Sequence, residues 1–227
     1  LVTPETKLIC LNNPNNPTGA LMPESVLREI IDMARSVDAW ILCDEVYRHL
    51  SQEDMWCPSI ADLYEKGISV SSMSKVFSMA GLRLGWIATR DRDVIKSCLS
   101  HRDYNLVSCG VLDEMLAAVT LKHSDVMLKR SRKIVRENLQ ILDRWVNSEP
   151  HVSYVKPQAG TTALVYYDLD MPSYAFCEEM YQQTGAFVTP GDCFEQPRSM
   201  RIGYAYGKEE LIQGLQVVSE YIAMKTK

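Results

Sequence analysis

Apolar residues along this chain fall into two patterns, short runs of strand length and longer stretches at helical spacing. Lys7–Leu11 (KLICL) is a short apolar run that stops at the turn-forming NNPNNPTG. Leu27, Ile30, Ile31 and Ala34 then recur at helical spacing inside Pro23–Ser36, and Ala39–Cys43 (AWILC) reads as a second buried strand that ends abruptly in Asp44 and Glu45. Strand, loop, helix and strand in this order predict a βαβ unit with a parallel pair and a right-handed crossover. Such a unit places ligand-binding groups at the carboxyl ends of its strands.

Further strands are predicted at Ile68–Ser71, running into SSMSK, and at Leu84–Thr89. From Val111 to Val146 the spacing is helical, with Val135, Leu139, Leu142 and Val146 along one stripe, so that a long helix closes this stretch. Pro150 marks a break. Beyond it Val152–Val155, Thr162–Asp168 and Met200–Tyr204 read as strands, and Tyr174–Thr184 and Lys208–Ala223 as helices. The first half is α/β and the second an α+β layer of its own, divided into residues 1–120 and 121–227.

Composition narrows the classes of partner. A 227-residue chain with 46% apolar residues can bury a sizeable core, and a net charge of −5 without a basic run argues against nucleic-acid or membrane partners. The longest apolar runs fall short of the ~20 residues that cross a bilayer. Seven cysteines form no CxxC pair and fit reduced thiols in a cytoplasmic protein, and four scattered histidines offer no metal-ligand spacing, so no metal site is expected. The chain opens at Leu1 and enters a strand almost at once, as though cut from a longer polypeptide.

The chemistry is carried by a lysine among small polar residues, an acid at a strand end and two arginines in apolar settings, a set suited to a phosphorylated, anionic ligand. Lys75 in SSMSK could form a Schiff base if its amine is held neutral. Taken singly, each residue has an ordinary alternative: Lys75 as a surface lysine, Asp44 as a helix cap, Tyr47 as packing, Asn16–Pro17 as a turn, and Arg83 or Arg201 as surface ion pairs.

Together, NNPNNPTG, DEVY, SSMSK and GLRLGW stand in an order that resembles the class I and II aminotransferases, fold-type I enzymes that use pyridoxal 5′-phosphate (PLP). The resemblance implies a partial PLP-transferase large domain, with a mixed, mostly parallel sheet and flanking helices, followed by a C-terminal α+β small domain. It implies that Lys75 bonds the cofactor, that Asp44 pairs with the pyridinium nitrogen, and that Tyr47 and Asn16 hydrogen-bond the phenolic oxygen. Ser72 and Arg83 match phosphate ligands, and Arg201 in MRIGYA matches the arginine that grips the substrate's α-carboxylate with Asn16 nearby; Pro190 and Gly191 in VTPGDCF look like a turn near the substrate mouth. The implied activity moves an amino group from an L-α-amino acid to a 2-oxo acid by ping-pong kinetics, in a protein that works as a homodimer. The same residues serve C–S lyases of this fold, and a catalytically incomplete fragment is the other alternative.

Overall fold

The structure is a computed structural model that describes residues 1–54 and 57–226. The chain folds as two units, one formed by residues 1–14 and 21–131, the other by residues 15–20 and 132–227.

The first unit is built on a four-stranded sheet with the order β1-β2-β3-β4, comprising β1 (Leu8–Asn12), β2 (Trp40–Asp44), β3 (Gly67–Ser72) and β4 (Gly85–Thr89). β1 and β2 pair in parallel with Asn12 opposite Asp44; β2 and β3 pair in parallel with Asp44 opposite Val70. β4 runs antiparallel to β3, with Gly85 opposite Ser72, so the predicted parallel pair is present and the sheet is mixed. Helix α1 (Glu24–Ser36) makes the β1–β2 crossover and buries Leu27, Ile31 and Ala34. Ile31 and Ala34 pack with Ala39, with Ile41 and Cys43 of β2, and with Ile60 of the one-turn helix α2 (Ile60–Leu63) and Tyr64. The Tyr64 hydroxyl donates to the Ala39 carbonyl at 2.8 Å, so its polar tip is satisfied while the ring fills the core.

The predicted long helix is instead two, α4 (Val111–Lys122) and α5 (Ser124–Ser148), interrupted at His123, and both follow a helix that the spacing did not reveal, α3 (Arg92–Asn105). α3 buries none of its residues, so it carries no apolar stripe to read; its start is set by Asp91, whose side chain accepts from the amides of Asp93 (2.7 Å) and Val94 (3.0 Å). No helix among the described residues is long and apolar enough to cross a membrane.

The second unit holds an antiparallel sheet with the order β5-β6-β8-β7: β5 (Val152–Tyr154), β6 (Thr162–Tyr167), β7 (Thr189–Pro190) and β8 (Ser199–Gly203). One sheet face is covered by the C-terminal half of α5, by α6 (Ser173–Thr184) and by α7 (Lys208–Lys225). The stripe Val135, Leu139, Leu142 and Val146 is buried there as its spacing predicts. Phe176 stacks on Tyr167 with centroids 4.1 Å apart and meets Tyr221 edge-on at 5.1 Å. The two-residue β7 lies where the sequence shows only a turn, because a strand of that length containing a proline has no alternation to display. The architecture is mixed α/β.

Candidate active site

In the first unit Asp44, Tyr47, Ser72 and Lys75 lie at or just beyond the carboxyl ends of β2 and β3. Because β1, β2 and β3 are parallel and in register, Asn12, Asp44 and Ser72 mark neighbouring carboxyl ends, where an α/β sheet presents its ligand-binding groups. Asp44 is half-buried; its backbone carbonyl accepts from the amide of Asn13 (3.0 Å) and the side-chain amide of Asn12 (3.1 Å), while its carboxylate Oδ1 accepts from the Val46 amide (3.0 Å). Strand end and carboxylate are therefore held separately, and among the described residues no cationic side chain pairs with Asp44. Glu45, the next residue, is buried and accepts from Ser59 Oγ (3.1 Å), the Ile60 amide (2.7 Å) and Ser69 Oγ (2.8 Å). Glu45 thus ties the end of β2 to β3 and to the start of α2.

Tyr47 is buried in a cluster with Leu50, Met73, Val76 and Phe77, so its ring packs beside the segment that carries Lys75. Met73 and Val76 anchor that segment in the core, and Lys75 between them is exposed; its carbonyl accepts from the Ser78 amide (3.2 Å), while its amine has no hydrogen bond or ion pair among the described residues. Ser72 Oγ accepts from the Ser74 amide at 3.3 Å. Arg83 is exposed, adopts a left-handed backbone with φ 51°, and donates from Nη1 to the Ala80 carbonyl at 2.9 Å. The structure therefore groups Asp44, Tyr47, Ser72 and Lys75, while the guanidinium of Arg83 lies on its own turn.

In the second unit, Arg201 on β8 donates from Nη1 to Asn16 Oδ1 (3.2 Å) and from Nη2 to Thr189 Oγ1 (3.1 Å), and its guanidinium carbon sits 5.1 Å from the centroid of the Phe194 ring. Asn16 and Arg201, 185 positions apart in sequence, are thus brought together. The loop Asn15–Ala20 delivers Asn16 through local chemistry. Asn15 Oδ1 accepts from the hydroxyl (2.7 Å) and amide (3.3 Å) of Thr18, and the Gly19 carbonyl accepts from the amides of Gln158 and Ala159, both at 2.9 Å. Gly19 has φ +71°, and a Cβ there would lie 2.5 Å from Pro157 Cβ and 2.8 Å from the Ala159 carbonyl oxygen, so only glycine permits this docking. Thr189, Phe194 and Glu45 were not singled out by sequence; the only signal near them was the turn at Pro190–Gly191 and the acid beside Asp44.

Burial, reinforced by the Glu45 carboxylate, pushes the Cys43 thiol up to about 12, and burial does the same to Cys177, so both are protonated and unreactive at neutral pH.

Residues 2–216 match the family "Aminotransferase class I and II". The chain is 30% identical to aromatic-amino-acid aminotransferase 2 of Thermococcus litoralis, matching 99% of this chain and 59% of that protein, and 28% identical to capreomycidine synthase of Streptomyces vinaceus, matching 97% and 57%. Among solved structures it resembles a PLP-dependent aminotransferase from Streptococcus suis 89-1591 with a TM-score of 0.95 and 42% identity, covering all of this chain and 60% of that one. It therefore spans about three-fifths of the length of these relatives. With 215 of its 227 residues inside the family match, the chain belongs to the class I and II aminotransferases.

Proposed function

We propose that the protein to which this chain belongs is a PLP-dependent aminotransferase, transferring the amino group of an L-α-amino acid to a 2-oxo acid by ping-pong kinetics. The observation that carries the reading is the grouping of Asp44 and Ser72 at the carboxyl ends of adjacent parallel strands with Lys75 three residues beyond, a carboxylate, a hydroxyl and an amine with no cation on the acid among the described residues. The grouped donors fit PLP, with a carboxylate for the pyridinium, an amine for the aldehyde and a hydroxyl for the phosphate; Arg83, whose guanidinium is turned to the Ala80 carbonyl, is assigned to the phosphate by the family resemblance.

When bound, PLP would supply an electron sink for the pair of electrons left on the substrate's α-carbon. The residues of this chain do the remainder. Asp44, fixed by the Asn12 and Val46 bonds, holds a proton on the ring nitrogen by its negative charge. Tyr47 and Asn16 tune the phenolic oxygen by hydrogen bonding, Ser72 and Arg83 bind the phosphate, and Lys75, once released, carries the α-proton on Nζ. Arg201 grips the α-carboxylate, with its guanidinium already oriented by Asn16 and Thr189. The full-length protein is read as a cytoplasmic homodimer, a part of the proposal that rests on family resemblance alone.

The test is product analysis after the protein, supplied with PLP, meets a panel of L-amino acids and then a second oxo acid. The expected result is an oxo acid matching the amino acid supplied, absent in Lys75→Ala, with kcat/KM reduced about 10- to 100-fold in Arg201→Lys, where a bidentate fork becomes a point charge. Release of pyruvate and ammonia without an added oxo acid would reassign the protein to the C–S lyases.

A further inference from the structure

We infer that Phe194 and Thr189 are positioning residues for Arg201, fixing the plane and the roll of its guanidinium so that one edge is presented to a carboxylate. The inference rests on the reading of Arg201 as a carboxylate ligand. A guanidinium on a flexible side chain rotates about its long axis, and bidentate binding of a planar carboxylate loses its advantage unless that rotation is stopped. Three contacts stop it here. Asn16 Oδ1 takes an N–H of Nη1 and Thr189 Oγ1 takes one of Nη2, which sets the direction of the two terminal nitrogens, and each Nη keeps a second N–H. The guanidinium carbon lies over the Phe194 ring, 5.1 Å from its centroid, and the ring's face attracts the cation.

The supports are themselves rigid. Thr189 lies directly opposite Arg201 in the β7–β8 pairing. Phe194 ends a single 3-10 turn, Gly191–Phe194, closed by the Glu195 amide on the Asp192 carbonyl (3.2 Å) and the Gln196 amide on the Gly191 carbonyl (3.0 Å). At Gly191 a Cβ would lie 1.9 Å from Ser199 Oγ and 2.2 Å from the Gln196 carbonyl oxygen, so the turn is pressed against the start of β8 with no room to shift. Asp192 Oδ2 accepts from the Tyr174 amide at 2.9 Å and ties the turn to α6. All of these residues lie in the second unit.

The test is performed on the 227-residue chain without PLP, following the Nε–Hε signal of Arg201 by NMR, assigned with Arg201→Lys, during titration with acetate against chloride at constant ionic strength. In the native chain the signal should move with acetate and not with chloride. Phe194→Leu should weaken the acetate response about three- to tenfold, the range of a partly desolvated cation–π contact, and Phe194→Tyr should restore it. Thr189→Val should weaken it about threefold or more, and Thr189→Ser should restore it. Phe194→Leu and Thr189→Val equal to the native chain, or weakened as expected but with Phe194→Tyr and Thr189→Ser weakened alike, would overturn the positioning role while leaving Arg201 as the carboxylate ligand. A native signal indifferent to acetate would overturn that ligand assignment and this inference together. Should Phe194→Leu fail to fold, Phe194→Met takes its place with the same expected weakening, and the Thr189→Val and Thr189→Ser pair decides independently.

Discussion

Asp44 and Glu45 are neighbouring acids with different surroundings, and the difference is one of partners. The half-buried Asp44 carboxylate accepts one backbone bond, whereas the buried Glu45 carboxylate accepts three bonds from Ser59, Ile60 and Ser69. Glu45→Ala leaves those donors inside the protein without acceptors, at a cost of about 2–4 kcal/mol. Amide exchange over Ile60 and Ser69 should accelerate by roughly one and a half to three orders of magnitude, since about 1.4 kcal/mol is tenfold; unchanged protection would show that Glu45 is not the tie between β2 and β3. At this scale residue type alone singled out no residue, and it was the order of the motifs that made Lys75 and Asp44 candidates. The sequence was silent on Thr189 and Phe194, because their relation to Arg201 is made by strand pairing and by a turn, which no local spacing records.

Elements were legible in proportion to how much of them is buried on one side. α1 and the second half of α5 display apolar stripes and lie where the spacing puts them; α3 buries nothing and was missed, although the Asp91 cap was available as a signal. α4 and α5 were read as one helix because the apolar spacing continues across His123. The loop Asn15–Ala20 announces a turn through its asparagines and prolines, but not its docking on Pro157–Ala159. That docking predicts an asymmetry between two glycines. Gly19→Ala must adopt a left-handed backbone and meets backbone atoms at once, so it should cost more than the roughly 1–2 kcal/mol of the backbone term and expose the Gln158 and Ala159 amides to exchange. Gly214→Ala, on an exposed part of α7 where a Cβ meets nothing within 4 Å, should stabilise by about 0.5–1 kcal/mol. Equal effects in urea unfolding would contradict the docking.

Across the whole molecule, both units carry ordered cores and both carry part of the proposed machinery, the lysine and acid in the first and the carboxylate arginine in the second. The first unit also shows Leu112, Met115, Leu116 and Val119 exposed along one side of α4, in a chain that spans about three-fifths of its relatives. Fold class and family were legible because four motifs sit at strand ends in a fixed order, and strand ends are where this architecture concentrates its chemistry. The most direct measurement is to mix the chain with PLP, reduce with borohydride, and map the phosphopyridoxyl label by peptide mass spectrometry. The label should fall on the peptide containing Lys75 and vanish in Lys75→Ala. Label spread over other lysines, unchanged by that substitution, would contradict the assignment of Lys75 as the residue that bonds the cofactor.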